Sequence, residues 1–132
     1  MSPPPEQVLT EREAQFMQVL WDRGAATAEQ VRLALPRKLH DSTVRTVLRV
    51  LERKGQVRHR KRGRTYVYRP VRARSHAERS AVRSLLERFF GGSAEALMLR
   101  LIEDEHLTPK QLDELRNRPS RRRGRSRAGG ST

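Results

Sequence analysis

The 132-residue sequence contains no cysteine. That excludes disulfides, thiol catalysis and thiolate-held metal, and is compatible with a reducing cytoplasm. No apolar run approaches the ~20 residues that a membrane-spanning helix needs, so no membrane insertion is expected. The first residues, Met1-Ser2-Pro3-Pro4-Pro5-Glu6, have neither the basic nor the apolar region of a secretory signal, and a cytoplasmic location follows as the expectation. The four histidines, His40, His59, His76 and His106, are scattered, with no pair at i, i+4 to suggest a zinc site. There is no GxGxxG, P-loop or GxSxG motif. Glu103, Asp104 and Glu105 are adjacent carboxylates near a helix end, and adjacent residues on a helix do not face each other. No catalytic residue, metal ligand set or cofactor is therefore expected, and the chain does not read as an enzyme.

Acidic residues are scarce where basic ones are dense. The net charge is +14, and Val31 to Arg74 alone carries 15 basic and two acidic residues. Met1 to Gln30 is net −3 and Ser75 to Arg118 net −1, while the stretch from Pro119 adds five arginines and no acid. A general preference for arginine would explain why 25 of the 29 basic residues are Arg, but not their placement. Charge concentrated in one third of a chain predicts a polyanionic partner on that face, and nucleic acid is the commonest such partner. A hydrophobic fraction of 35% with seven prolines and eight glycines leaves a modest core, enough for one domain or two small ones.

Local signals set out the elements. Thr10-Glu11-Arg12-Glu13 is a capping box with Val8 or Leu9 as a staple. Phe16, Met17, Leu20 and Trp21 then line one helical face, with Trp21 read as core, and Gly24 ends the helix. Thr27-Ala28-Glu29-Gln30 is a second capping box, opening a helix that Pro36 stops. Its inward residues are Ala28, Val31, Leu35 and Ala34. After the connector Arg37-Lys38-Leu39-His40 comes a helix with two faces. Val44, Val47, Leu48 and Leu51 form an apolar stripe, while Ser42, Arg45, Thr46, Arg49 and Arg53 form a stripe of hydroxyls and guanidiniums. Asp41 or Ser42 can cap its start, and Gly55 suits a left-handed position past its end. Three short helices in this order form a helix-turn-helix arrangement. Arg can bond guanine O6 and N7 together, and short hydroxyls reach phosphates or base edges.

The period then changes to two. Gln56 to Arg60 alternates, Lys61-Arg62-Gly63-Arg64 reads as a turn, and Thr65 to Pro70 alternates again, which is a hairpin signal. A recognition helix followed by a basic hairpin is the layout of a winged helix, with Arg60, Lys61, Arg62 and Arg64 placed to meet phosphate or the minor groove. Beyond it lie three amphipathic helices. Their apolar residues are Val82, Leu85, Leu86 and Phe89 in the first, Ala94, Leu97, Met98, Leu101 and Ile102 in the second, and Leu112 and Leu115 in the third. Three such helices in about forty residues bury little surface alone, so they are expected to pack against a second copy. The expected fold is mostly α with a small β-hairpin: an N-terminal winged helix-turn-helix over 8–72, a helical dimerisation domain over 75–118 and a disordered basic tail over 119–132.

The stretches Leu20-Trp21-Asp22, Ser42-Thr43-Val44-Arg45-Thr46-Val47-Leu48, Lys54-Gly55, Tyr66-Val67-Tyr68, Phe90-Gly91-Gly92, Leu97-Met98-Leu99 and Glu114-Leu115-Arg116 occur in an order that resembles the penicillinase-repressor family. The resemblance implies repression by a homodimer that binds a palindromic double-stranded DNA operator. It places Thr43, Arg45 and Thr46 on the family's recognition-helix Thr, Arg and Thr, with Ser42 standing where the best-known members have Lys. In members that control β-lactam resistance, a membrane sensor-linked protease cuts the fifth helix at an Asn-Phe pair, and the aligned pair here is Arg100-Leu101. The copper-responsive branch uses a cysteine cluster, which this chain lacks. Two other readings stay open at this level: an architectural protein that coats DNA without sequence preference, and an interaction module whose basic face meets an acidic protein.

Overall fold

Thr10 and Thr27 start the first two helices by accepting from the amides three residues on, while Glu13 and Gln30 reach back to the cap backbone. Two donors that would otherwise be orphaned are satisfied at each start. The computed structural model describes residues 8–119, and the remainder of the basic tail lies outside them. Among the described residues the order is α1 (Glu11–Arg23), β1 (Ala26–Thr27), α2 (Ala28–Ala34), α3 (Asp41–Arg53), β2 (Val57–Arg62), β3 (Thr65–Pro70), α4 (Arg74–Phe89), α5 (Ala94–Asp104) and α6 (Pro109–Asn117). The chain divides into a first unit up to Ala77 and a second from Glu78.

The core of the first unit is drawn from every element that precedes α4. Phe16, Met17 and Leu20 of α1, Val31 of α2, and Val44, Leu48 and Leu51 of α3 are fully buried, joined by Ala26, Ala28, Val57 and Tyr68. Val47 and Trp21 are only half-buried and pack against this cluster from its edge. Ala34, expected inward, is exposed. It ends α2, and Leu35 just beyond it packs half-buried against the core. One further expectation changes at α3. Neither Asp41 nor Ser42 caps it: the cap position is His40, which makes no side-chain capping bond. At the other end Gly55 takes φ +79° as expected. Its amide bonds Glu52 O at 3.0 Å and the Gln56 amide bonds Leu51 O at 2.9 Å, closing the helix in a Schellman motif.

The hairpin gains a strand that its sequence does not announce. Ala26 and Thr27 pair antiparallel with Tyr68 and Val67, giving the sheet order β1-β3-β2. The turn is shorter than expected, because Lys61 and Arg62 belong to β2 and only Gly63-Arg64 connects the strands. Gly63 takes φ +63°, the first-position conformation that two-residue hairpin loops demand. Three helices with this three-stranded sheet make a winged helix-turn-helix.

In the second unit the caps are local again. Ser93 accepts from Ala96 N at the start of α5, and Thr108 with Gln111 boxes the start of α6, where Pro109 takes the first helical position. No residue of α4, α5 or α6 is buried within the chain. Ala94, Met98 and Ile102 on the apolar face of α5 are exposed within the single chain.

Candidate nucleic-acid interface

Burial of Val44, Leu48 and Leu51 fixes the rotation of α3 about its axis. The opposite stripe therefore faces solvent, and Ser42, Arg45, Thr46, Arg49 and Arg53 are all exposed. Thr43 differs from them. It lies on the half-buried flank of the helix with Val47, Val50 and Lys54, so it borders the exposed stripe. Arg45 Nε donates to Asp41 Oδ2 at 2.9 Å, with both side chains more than half exposed. Hydrogen bonding to Asp41, then the Asp41 charge, makes the Arg45 guanidinium still harder to deprotonate than usual. Beside the start of α3 is a wide-open hollow of about 510 Å³ lined by Glu29, Arg32, Lys38, Leu39, His40 and Asp41. It is too open to enclose a small molecule.

Register divides the wing arginines from the wing lysine. Side chains alternate along a strand, so Arg58, Arg60 and Arg62 share one face of β2, whereas His59 and Lys61 share the other. Arg64 sits in the turn, and all the wing's basic residues are exposed. Arg69 falls directly opposite Arg58. Like charges placed directly opposite each other destabilise a strand pair. Arg58 and Arg69 therefore extend the basic face beyond the expected residues, and strict alternation on either side of the turn could have located both. On the other face His59 stacks on Tyr66 at 4.4 Å between ring centroids.

Two contacts hold α3 in place. His59 Nδ1 lies 2.7 Å from Glu52 Oε1, tying β2 to α3. Burial first, and the Glu52 charge second, holds the neighbouring Tyr68 hydroxyl protonated above its ordinary range. At the end of α3, Lys54 Nζ donates to Glu13 at 2.8 and 2.9 Å. Burial pushes the Glu13 carboxyl up, but the bonds from Lys54 and Thr10 together outweigh it and hold the group below its ordinary 4.5. Trp21 Nε1 donates to Arg72 O at 2.9 Å, and the Arg74 guanidinium lies over its ring while bonding Asp22 at 2.6 Å. Trp21 thus combines edge-of-core packing with a polar anchor for the chain leaving the wing.

The residues expected to dimerise lie in α4, α5 and α6. Val82, Leu85, Phe89, Met98 and Leu115 are exposed, Phe89 at 71%, while Leu86, Leu97, Leu101 and Leu112 are half-buried. The pair Arg100-Leu101 lies inside α5, and Arg100 points to Asp104 at 3.4 Å. Among the described residues, no helix is long and apolar enough to cross a membrane, and no cluster of His, Cys, Asp or Glu could hold a metal ion.

A family profile described as penicillinase repressor matches residues 9–120. The penicillinase repressor of Bacillus licheniformis is 28% identical over 109 residues, 81% of this chain and 85% of that protein. The methicillin resistance regulatory protein MecI of Staphylococcus aureus strain Mu50 is 22% identical over 111 residues, 83% of this chain and 90% of that protein. Among solved structures, the Bordetella bronchiseptica regulator BpsR aligns with 84% of this chain and 73% of its own at a TM-score of 0.48 and 19% identity.

Proposed function

Because the chain belongs to the penicillinase repressor family, whose members are DNA-binding repressors of transcription and not enzymes, we propose that it acts in the cytoplasm as a homodimer on a palindromic operator. The observation that carries this reading is the division of α3. Its fully buried Val44, Leu48 and Leu51 leave Ser42, Arg45, Thr46, Arg49 and Arg53 on the surface of a net +13 segment. Arg45 and Thr46 near its start read base edges, with Thr43 and Ser42 beside them. Arg49, Arg53, Arg60, Lys61, Arg62 and Arg64 hold phosphates. The exposed Val82, Leu85, Phe89, Met98 and Leu115 support a second copy as the partner of the C-terminal helices, since an apolar surface of this kind marks an interaction site. Two recognition helices held by one dimer fit half-sites one helical turn apart.

Release by a sensor-linked protease at Arg100-Leu101 belongs to the same reading. The pair lies within a hydrogen-bonded helix, so cutting there requires α5 to open locally first. The deciding experiment is selection of bound sequences from random duplexes followed by footprinting. A recurrent palindrome with half-sites about one turn apart supports the reading. Uniform protection without a recurrent sequence would favour the architectural coating protein instead.

A further inference from the structure

The segment Val31–Arg74 carries only two carboxylates, and both stand on α3. Glu52, near the end, is engaged by His59. Asp41, at the start, is engaged by Arg45. An exposed i, i+4 ion pair contributes little to folding, and a lone carboxylate on a DNA-facing helix repels phosphates. In the first turn of α3 the Asp41 charge favours the helix dipole by about 0.3–1 kcal/mol, but that role does not require the bond to Arg45. Its geometry suits another task. Only the Nε donor of Arg45 is used, and neither Nη group has a protein partner among the described residues. The nearby Glu29 carboxylate is bonded to Arg32 at 2.7 and 3.1 Å, so it does not compete for Arg45.

We propose that Asp41 is a positioning residue for operator recognition: its carboxylate holds Arg45 through Nε, so that the two Nη groups are presented end-on to a guanine. This rests on the reading of Arg45 as a base-contacting residue. A guanidinium has five N–H donors in a fixed plane. Fixing Nε leaves four on the two Nη nitrogens, the pair whose spacing fits guanine O6 and N7. The side chain then loses less freedom on binding. The carboxylate also makes wrong contacts less favourable, since its charge opposes phosphate wherever Arg45 finds no guanine.

The test uses the full chain, sequences selected by it from random duplexes, and competition binding at fixed salt. Asp41→Asn is expected to lower the ratio of selected-site to random-duplex affinity by about fivefold or more. It should relax preference at the same base positions as Arg45→Ala. Asp41→Glu should restore most of the ratio, and Asp41→Asn should add nothing in an Arg45→Ala background. Circular-dichroism melts establish that each variant is folded. If Asp41→Asn keeps the ratio while Arg45→Ala loses it, Arg45 reads unaided and the proposal falls. Relaxation at different positions would show Asp41 touching a base itself, which also overturns it. An unchanged ratio in Arg45→Ala would instead remove the base-reading role of Arg45, and this proposal with it.

Discussion

Glu13 joins two elements that lie 41 residues apart in the contact it makes. Its carboxylate accepts from the Thr10 amide at 2.9 Å, completing the α1 capping box, and from Lys54 Nζ at 2.8 and 2.9 Å at the end of α3. Two substitutions separate these tasks. Gln at the third helical position completes the boxes at Thr27 and Thr108 in this same chain, so Glu13→Gln preserves the cap and removes the charge. Glu13→Ala removes both. Leaving one member of a buried pair alone costs ~3–5 kcal/mol when it cannot reach water. The Lys54 side chain is 20% exposed and can turn outward, so about 1–2 kcal/mol is expected for Glu13→Gln. Loss of the capping contact adds about 1 kcal/mol in Glu13→Ala. Urea unfolding at neutral pH measures both. The folded-state pKa of Glu13 lies below its ordinary 4.5, so its contribution is present above that value and is lost as pH falls through the folded value. The gap between wild type and Glu13→Gln should therefore narrow on acidification below 4.5. A gap that is absent at neutral pH, or that widens in acid, would mean that the Glu13–Lys54 pair does not stabilise the fold.

Two further outcomes follow from the same geometry. Arg62→Ala should weaken binding to every duplex alike and make the salt dependence shallower by about one unit of log–log slope, checked by titration across a salt series. Phe89→Glu places a charge on the most exposed apolar ring of the C-terminal helices and should shift the protein to monomer in sedimentation equilibrium, while the melting of the winged-helix unit stays unchanged.

Much of this fold is legible in the sequence because it is local. The Thr-x-x-Glu/Gln boxes at Thr10, Thr27 and Thr108 declare three helix starts within four residues each. The 3.6-residue spacing of Val44, Leu48 and Leu51 fixes which side of α3 is buried, and so which side is free. β1 is not legible, because two residues show no alternation and its pairing with Val67 and Tyr68 spans some forty residues. Asp41 reads as a cap until the structure shows Arg45, one turn on, taking its carboxylate. A four-residue loop, as the sequence suggests, groups the wing's basic residues as one tip. A two-residue loop at Gly63-Arg64 moves Lys61 and Arg62 into the strand and onto opposite faces, and brings Arg58 and Arg69 onto the arginine face. The exposure of Val82, Leu85, Phe89, Met98 and Leu115 follows from the shortness of α4, α5 and α6, since three short helices bury little surface among themselves.

Sequence reading is proposed for the exposed stripe of α3. The most direct measurement is the ratio of affinities for the selected operator and for random duplex, in wild type and in Arg45→Ala at one salt concentration. The ratio should fall roughly 5- to 150-fold, the loss expected for one bidentate contact to guanine. An unchanged ratio, with both affinities reduced together, would contradict it and leave Arg45 as one more contact to the phosphate backbone.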